Sequence, residues 1–313
     1  PNEKQVEYLY SYLNAARADI DYENFEDWIR NYLGDKIADN YMIPYNKKLW
    51  CIDVATLNTD WLIKIPKTDI KLVLKTIIER DSNFTEEVVS HRKFWYPKAG
   101  GFQSMFNAIH KHIEDKVLTN TKVKTFTYDN ETKLWDIDGK FKTRNVINTA
   151  PWILFDINLN NYDFQKQFEN LKYLSDVISL WEREPYDHGA HWKYIPNPDV
   201  EQHREFYICN FAPYSKPGGV MTDINRIRWL QNDKKWKAGT PLYEHENIYS
   251  YPLPTTTYKK SIKDILYFTK DFNMFGLGRW GQWQYYNTDQ CIKQVLDFFN
   301  CEDPKEFDYF KTF

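Results

Sequence analysis

The chain has 313 residues and a formal net charge of −3, and aromatic residues make up 18% of it. This length is enough for two or three domains, and the weak negative charge excludes a broad basic surface for nucleic acid. Because no signal peptide and no run of about 18 apolar residues is visible, we expect a cytoplasmic protein with no membrane contact.

Cysteine and histidine usage gives no reason to expect a metal site. The four cysteines show no CxxC spacing, and the seven histidines are scattered. This pattern favours free thiols in a reducing compartment over structural zinc. The many tyrosines join apolar rings to polar tips and favour a polar, ring-shaped ligand, although most of the rings are expected simply to pack.

Residues 1–90 are predicted to form helices. Apolar residues recur at helical spacing over residues 6–13. Asn24 is a candidate N-cap for the next helix, and Gly34 stands where that helix is expected to stop. Pro44 then predicts a break before the segment PYNKKLW.

The segment PYNKKLW holds Tyr45, Asn46 and Trp50. An asparagine amide offers a donor and an acceptor to a base such as uracil. The alternative is a helix break lined with core aromatic residues, and the segment alone favours that alternative. Helical character is predicted to return over Asp69–Arg80.

The middle of the chain changes character at residue 91. HRKFWYPKAGG predicts a strand that runs into a glycine turn, and Phe102–Val117 predicts a helix. KVKTFTYD, KLWDIDG and VINTA then predict short strands. Further on, VISLWERE, HWKYIP, EFYICNFAPY and NIYSYPLP predict an antiparallel sheet, and Tyr258–Phe268 and Ile292–Phe299 predict helices.

Two segments carry residues suited to a nucleotide or a flat cofactor. On a strand, Trp192 and Tyr194 share one face, and Arg204 beside them offers a planar fork for phosphate oxygens; the alternative is a solvated surface arginine. GLGRWGQWQYYNTDQ combines small residues with Arg279 and a helix start, which suits close approach to a ring or a phosphate. The sequence has no GxSxG motif, so nothing in it indicates a serine hydrolase of that type. No pair of carboxylates can be recognised from the sequence either, so a glycosidase has no specific support.

Taken in order, these motifs resemble the flavin-dependent UDP-galactopyranose mutases, chiefly their eukaryotic-type branch. The landmarks are NFEDWIRNYLGDKIADNYMIPYNKKLW, Trp61, FWYPKAGG, VINTAPW, the segment from Trp192 to Tyr214, YSYPLP and GRWGQWQY. The resemblance implies a mixed α/β (α+β) fold, in which a partial Rossmann-type FAD-binding domain accompanies an inserted helical domain and an antiparallel sheet domain. The implied domains are 1–90 (helical), 91–150 (FAD-binding), 151–257 (antiparallel sheet) and 258–313 (return to FAD-binding).

The resemblance implies interconversion of UDP-galactopyranose and UDP-galactofuranose, or of a close UDP-sugar, for cell-surface glycans. In this family the N5 atom of reduced FAD attacks the anomeric carbon and UDP is expelled. The implied catalytic residues are Arg204, Arg279 and Tyr285. The implied substrate-binding residues are Tyr41, Tyr45, Asn46, Trp50, Lys64, His91, Trp192, Tyr194, Arg204, Tyr251, Tyr285 and Asn287. The implied cofactor-binding residues are Gly100, Gly101, Gly278, Arg279, Thr288, Asp289 and Gln290.

Three departures separate the chain from the family pattern. WLIKIP places Ile65 at the position of the second diphosphate arginine, with Lys64 next to it as a point charge without a fork. His91 stands where the eukaryotic members carry an asparagine. The family's initial strand with GxGxxG is not in these residues, so we expect an N-terminal FAD-binding segment elsewhere on the polypeptide or on a separate chain.

Two alternatives remain open at this point. The protein could be a non-catalytic UDP-sugar-binding remnant that has lost its flavin, or an amine-oxidase-like flavin oxidoreductase. The sequence also leaves open whether the protein forms a homo-oligomer, which sugar it acts on and which physiological reductant it uses.

Overall fold

The computed structural model describes residues 3–17, 20–62, 70–79, 94–183, 189–212 and 219–310. Within it the chain divides into two units. Unit 1 combines Pro1–Val117 with Ser175–Ile248, and unit 2 combines Leu118–Leu174 with Tyr249–Phe313. The four-part domain assignment made from the sequence stays a prediction.

The helices of the described residues are mostly short. The α-helices are α1 (Glu3–Leu13), α2 (Phe25–Leu33), α3 (Asp35–Ile37), α4 (Ile43–Trp50), α5 (Ile70–Glu79), α6 (Gln103–His110), α7 (Phe164–Phe168), α8 (Ile208–Phe211), α9 (Arg226–Gln231), α10 (Tyr258–Lys270), α11 (Gly278–Gly281) and α12 (Thr288–Phe299). Short 3-10 turns lie at Val54–Thr56, Glu114–Lys116, Trp152–Leu154 and Pro304–Glu306. No helix in these ranges has the length and hydropathy that crossing a bilayer requires.

The strands of the described ranges form three sheets. They are β1 (Thr125–Asp129), β2 (Leu134–Ile137), β3 (Phe141–Thr143), β4 (Val146–Asn148), β5 (Asp156–Asn158), β6 (Tyr173–Glu182), β7 (Trp192–Tyr194), β8 (Arg204–Tyr207), β9 (Gly219–Asn225), β10 (Tyr243–Pro252) and β11 (Met274–Gly276). The sheet orders are β3-β2-β1-β5, β10-β6-β9-β8-β7 and β11-β4. The mixed α/β fold expected from the sequence is confirmed.

Unit 1 contains most of the five-stranded sheet. Strands β6, β9, β8 and β7 pair antiparallel, which agrees with the predicted antiparallel sheet except that β9 was not among the predicted segments. One face of this sheet is closed by a buried cluster. Its members are Val177, Trp181, Ile224, Trp229 and Trp236.

Unit 2 packs the other two sheets around a larger aromatic core. Strands β4 and β11 pair in parallel, and so do β1 and β5. Two buried indoles tie distant segments together, because Trp135 Nε1 donates to Phe272 O at 2.8 Å and Trp152 Nε1 donates to Gly281 O at 2.7 Å.

The first helices form as their end signals predict. The side chain of Asn24 accepts a hydrogen bond from Asp27 N at 3.0 Å, and Gly34 ends α2 with φ +82°. The side chain of Asn24 satisfies one of the orphan donors at the start of the helix, and glycine adopts a positive φ without strain.

The predicted break at Pro44 is wrong. Pro44 lies in the first turn of α4, and a π-helical segment, Ala38–Met42, joins α3 to α4. Ile43 N donates to Ala38 O, so the chain keeps helical bonding up to the proline. The proline is tolerated there because it has no N–H to satisfy in a first turn.

Three other element predictions need correction. EFYICNFAPY is a strand only to Tyr207, since Ile208–Phe211 closes into a helical turn with Ala212 N donating to Ile208 O. The helix predicted over Phe102–Val117 ends at His110 and is followed by a 3-10 turn. The described part of FWYP contains no strand, and Pro97 there lacks a ladder donor.

Candidate functional site

The structure groups the described candidate residues into two sets, one in each unit. The unit 1 set lies on α4 and on the second face of the five-stranded sheet. Tyr194 lies opposite Arg204, and Arg204 lies opposite Asp223. Residues opposite each other in antiparallel strands share a face, so these three side chains form one row across β7, β8 and β9.

Arg204 is held at the centre of this row. Its Nη2 donates to Asp223 Oδ2 at 2.5 Å, and its guanidinium carbon lies 4.5 Å from the ring centroid of Phe206. The Arg204 side chain is 21% exposed, whereas Asp223 is 1% exposed. Burial raises the pKa of Asp223, but the neighbouring His203 and Arg204 together lower it by more than that. The net pKa of Asp223 is therefore below the usual value.

Aromatic rings from α4 and the π-helical segment meet the same face. The rings of Tyr41 and Tyr45 are nearly parallel at 6.0 Å, and the ring of Tyr45 meets that of Tyr194 edge-on at 5.7 Å. Tyr41 and Tyr194 are both exposed. Exposed rings with polar tips can stack on a base or a sugar and also donate hydrogen bonds.

Asn46 and Trp50 are buried on α4. Asn46 Nδ2 donates to Met42 O at 2.8 Å, and Trp50 Nε1 donates to Asn46 Oδ1 at 3.0 Å. Recognition of uracil by Asn46 therefore needs a second bond from each amide atom or a rotation of the side chain. Its assignment to a uridine subsite stays a prediction.

Trp192 belongs to a ring cluster that the sequence did not indicate. Its ring is nearly parallel to that of Phe211 at 6.2 Å and lies 6.0 Å from that of Phe94. His191 packs within the same cluster, with its ring 5.3 Å from Phe211. Phe94 and Phe211 come from segments that are far from Trp192 in sequence, so only the general abundance of aromatic residues could have suggested these contacts.

The glycine pair of unit 1 forms a turn before α6. Gly100 and Gly101 have φ values of +77° and +63°. Ser104 Oγ donates to Gly101 O at 2.8 Å and closes the turn. Left-handed conformations at two successive positions explain why glycine is needed at both.

The unit 2 set surrounds the guanidinium of Arg279. Its Nε and Nη2 donate to Tyr286 O at 2.9 and 2.6 Å, and its Nη1 donates to Ser250 O at 3.3 Å. The guanidinium carbon lies 4.8 Å from the ring centroid of Tyr251, and that ring lies 5.0 Å from the ring of Tyr285. Two of the tyrosines that the resemblance assigns to substrate binding are thus adjacent, and one of them lies against an arginine.

Three glycines lie beside this set, and two of them let backbone segments pass close to each other. A Cβ on Gly281 would overlap the carbonyl oxygen of Asn148, and one on Gly276 would overlap that of Gly281. Gly278 has φ +73°, and a Cβ there would meet no atom within 4 Å. Gly276 and Gly281 are thus required by packing, while Gly278 is required by its backbone conformation and borders open space.

The start of α12 follows directly. Asn287 and Gln290 form a capping box, with Asn287 N donating to Gln290 Oε1 at 2.8 Å. Thr288 and Asp289 occupy the first turn of the helix. Burial and the neighbouring Cys291 raise the pKa of Tyr286 to about 12, although a hydrogen bond from Gln294 lowers it.

Some candidates lie outside this description. Lys64 and His91 are not among the described residues, so their assignments stay predictions. All four cysteines lie in the described ranges, and none of them forms a disulfide bond. In the ranges that the structure describes, no group of three or more His, Cys, Asp or Glu side chains could hold a metal ion.

Comparison with known proteins identifies similar folds. No family model matches the chain. It is similar to a crystal structure of reduced UDP-galactopyranose mutase at TM-score 0.81 and 18% identity, covering 99% of this chain and 75% of that one. It is also similar to a putative protoporphyrinogen oxidase from Exiguobacterium sp. 255-15, at TM-score 0.57 and 12% identity, covering 94% and 70% of the two chains.

A further similarity is to putrescine oxidase bound to putrescine. The TM-score is 0.56 at 12% identity, and the match covers 96% of this chain and 77% of the oxidase. At these identities the comparisons show the fold alone. The chain therefore has a fold similar to those of a mutase and of two oxidases.

Proposed function

We propose that the protein is a flavin-dependent mutase that interconverts UDP-galactopyranose and UDP-galactofuranose, or a close UDP-sugar. The observation that carries the proposal is the row of Tyr194 and Arg204 beside Trp192 and Tyr45, in a fold similar to a UDP-galactopyranose mutase. A planar cation flanked by exposed rings suits a uridine diphosphate, whose parts are a base, a sugar and two phosphates.

The residues of the chain would bind and orient the substrate. In unit 1, Arg204 would pair with diphosphate oxygens through its fork. In unit 2, Tyr251 and Tyr285 are the tyrosines that the sequence resemblance assigns to phosphate, and their hydroxyls can donate hydrogen bonds without adding charge. Negative charge grows on UDP as it leaves, so donors fixed in advance stabilise the transition state. Reduced flavin, when bound, supplies the nucleophile for the anomeric carbon.

The residues of unit 2 fit a flat cofactor. Gly278 borders open space in a backbone conformation that favours glycine, and Arg279 is immobilised next to it by three hydrogen bonds. Thr288 and Asp289 in the first turn of α12, together with Gln290, are further candidates. In unit 1, Gly100 and Gly101 stay candidate cofactor-binding residues on the sequence resemblance.

We further propose that an additional α/β segment with a GxGxxG motif completes the cofactor site, on this polypeptide or on a separate chain. Among the described residues, β4 and β11 form a sheet of only two parallel strands, whereas parallel sheets are normally larger and covered by helices. Helix α12 exposes Ile292, Leu296 and Phe299 along one face. Such an apolar stripe is typical of a surface that packs against another element.

The test of the segment is the intact mass and flavin content of the native protein. We expect bound FAD, together with either a mass above 37.8 kDa or a co-purifying chain. Leu296→Glu should lower FAD retention, whereas Lys293→Glu on the same helix should not. A native protein of 37.8 kDa that holds stoichiometric FAD by itself would contradict the second proposal.

The activity itself is tested with the protein reduced by dithionite. UDP-galactofuranose is added and the nucleotide sugars are separated by chromatography. We expect conversion to the pyranose form under reducing conditions and none after oxidation. UDP binding without conversion would favour the non-catalytic remnant.

The likeness to the two oxidases makes an amine-oxidase-like reaction the second candidate. It predicts hydrogen peroxide production from an amine in air and no competition by UDP. The mutase proposal predicts the opposite for both measurements. A cytoplasmic location remains part of the proposal.

A further inference from the structure

A buried polar pair lies beside Arg204 and plays no part in the reaction proposed above. His203 Nε2 lies 3.5 Å from Asp223 Oδ2, the oxygen that also accepts from Arg204. The side chains of His203 and Asp223 are 2% and 1% exposed. The backbones are tied as well, because His203 N donates to Asp223 O at 2.9 Å.

A carboxylate this deeply buried is costly unless it is paired. Asp223 is paired with Arg204 at its Oδ2 and stands directly opposite it in the ladder. The strand register therefore fixes the position of Asp223, and Asp223 holds the guanidinium of Arg204 over the ring of Phe206.

We infer that Asp223 is a positioning residue that holds Arg204 in place for a diphosphate. This inference rests on the proposed function, in which Arg204 binds the phosphates. An arginine that is already held loses less conformational freedom when a ligand binds, so affinity rises without any new contact to the ligand.

The carboxylate also has an opposing effect, because its negative charge repels a diphosphate. Two variants separate positioning from charge. Asp223→Asn keeps the size of the side chain and removes the charge, while Asp223→Glu keeps the charge and displaces the oxygens by one methylene. Positioning predicts that both variants bind UDP more weakly, by roughly three- to tenfold.

The decisive experiment is a double-mutant cycle on the intact native protein, with UDP and uridine affinities measured by calorimetry. In the Arg204→Ala background, Asp223→Asn should cause no further loss of UDP affinity, because its effect passes through the guanidinium. Uridine affinity should change by less than about twofold in every variant, since uridine lacks the phosphates.

Glu205→Gln is the matched control. Glu205 is a buried carboxylate on the same strand that points to the opposite face, where it contacts Arg183 and accepts from Gln202 and Tyr207. It should leave UDP affinity unchanged. Equal losses for Asp223→Asn with and without Arg204, or tighter UDP binding by Asp223→Asn, would overturn the inference.

A second readout does not depend on UDP. Phenylglyoxal modifies accessible arginines, and mass spectrometry reports the rate at Arg204. We expect severalfold faster modification in Asp223→Asn than in the wild-type protein, and an unchanged rate would overturn the inference. If the wild-type protein fails to bind UDP, the proposed function fails, while the labelling still tests the hold of Asp223 on Arg204.

Discussion

Arg279 lies over the ring of Tyr251, with its guanidinium carbon 4.8 Å from the ring centroid. Its nitrogens are already bonded to the carbonyls of Tyr286 and Ser250. The arginine thus joins the start of α12 to the end of β10 and holds Tyr251 against Tyr285. Its position makes it a support for the two tyrosines as well as a candidate contact for the cofactor.

The hydroxyl of Tyr285 is predicted to donate to a phosphate of UDP. Tyr285→Phe keeps the ring and its contact with Tyr251 and removes only the donor. Loss of one neutral hydrogen bond should weaken UDP binding by roughly two- to tenfold. Calorimetry measures the change, and Tyr267→Phe on the exposed side of α10 is the control. Equal affinities of Tyr285→Phe and the wild-type protein would remove Tyr285 from the site.

Arg204→Ala removes a charged donor from the sheet face. Because hydrogen bonds to charged groups contribute about 1.5–3 kcal/mol, UDP affinity should fall by roughly 10- to 150-fold. Arg226→Ala is the control. Arg226 lies on α9, a helix that flanks the sheet, and it forms an ion pair with Glu246 at 2.7 Å. We expect that control to change the affinity by less than about twofold. A comparable loss in both variants would mean that Arg204 contributes only through stability.

Local signals predicted much of the fold because they act over a few residues. The cap at Asn24, the stop at Gly34 and the alternation along β6 each depend on neighbours in sequence. Strand β9 was missed because it buries the polar residues Thr222 and Asp223, which interrupt an apolar alternation. Those residues are tolerated only because β8 and β6 supply their partners.

The sequence also predicted part of the candidate site, namely the residues that share a face of one strand. Side-chain alternation placed Trp192 and Tyr194 on one face, and the structure confirms that both lie on β7. The role of Asp223 could not be predicted, because it depends on strand register across 19 residues of sequence. The hydrogen bond from Trp50 to Asn46 was also not predicted, since the sequence predicted a break at Pro44 and not a helix that includes this proline.

Gly281 is predicted to be intolerant of any side chain. A Cβ there would overlap the backbone oxygen of Asn148, and neither backbone segment can move without disturbing β4 and β11. Gly281→Ala should lower the free energy of unfolding by about 3 kcal/mol or more. Gly139→Ala is the control, since it adds a Cβ in open space at φ +68° and should cost about 1–2 kcal/mol. Urea unfolding measures both, and equal costs would contradict the overlap.

Lys48 is a buried cation whose charge should make stability depend on pH. Its Nζ donates to Ile195 O at 2.9 Å and to Asn197 O at 2.8 Å, and it is 3% exposed. Burial and, to a smaller extent, the nearby Arg228 lower the pKa of Lys48 from 10.5 to about 8. Between these values the folded chain has released a proton that the unfolded chain still binds, so stability contributed by Lys48 rises with pH.

The measurement is urea unfolding of the wild-type protein and of Lys48→Met from pH 7 to pH 9.5. The wild-type protein should gain on the variant as pH rises above about 8, by up to about 2 kcal/mol at pH 9.5. Lys47→Met, at the exposed neighbouring position of α4, should keep a constant difference from the wild-type protein. If the free energy of unfolding of the wild-type protein minus that of Lys48→Met stays constant or falls with rising pH, burial does not depress the pKa of Lys48.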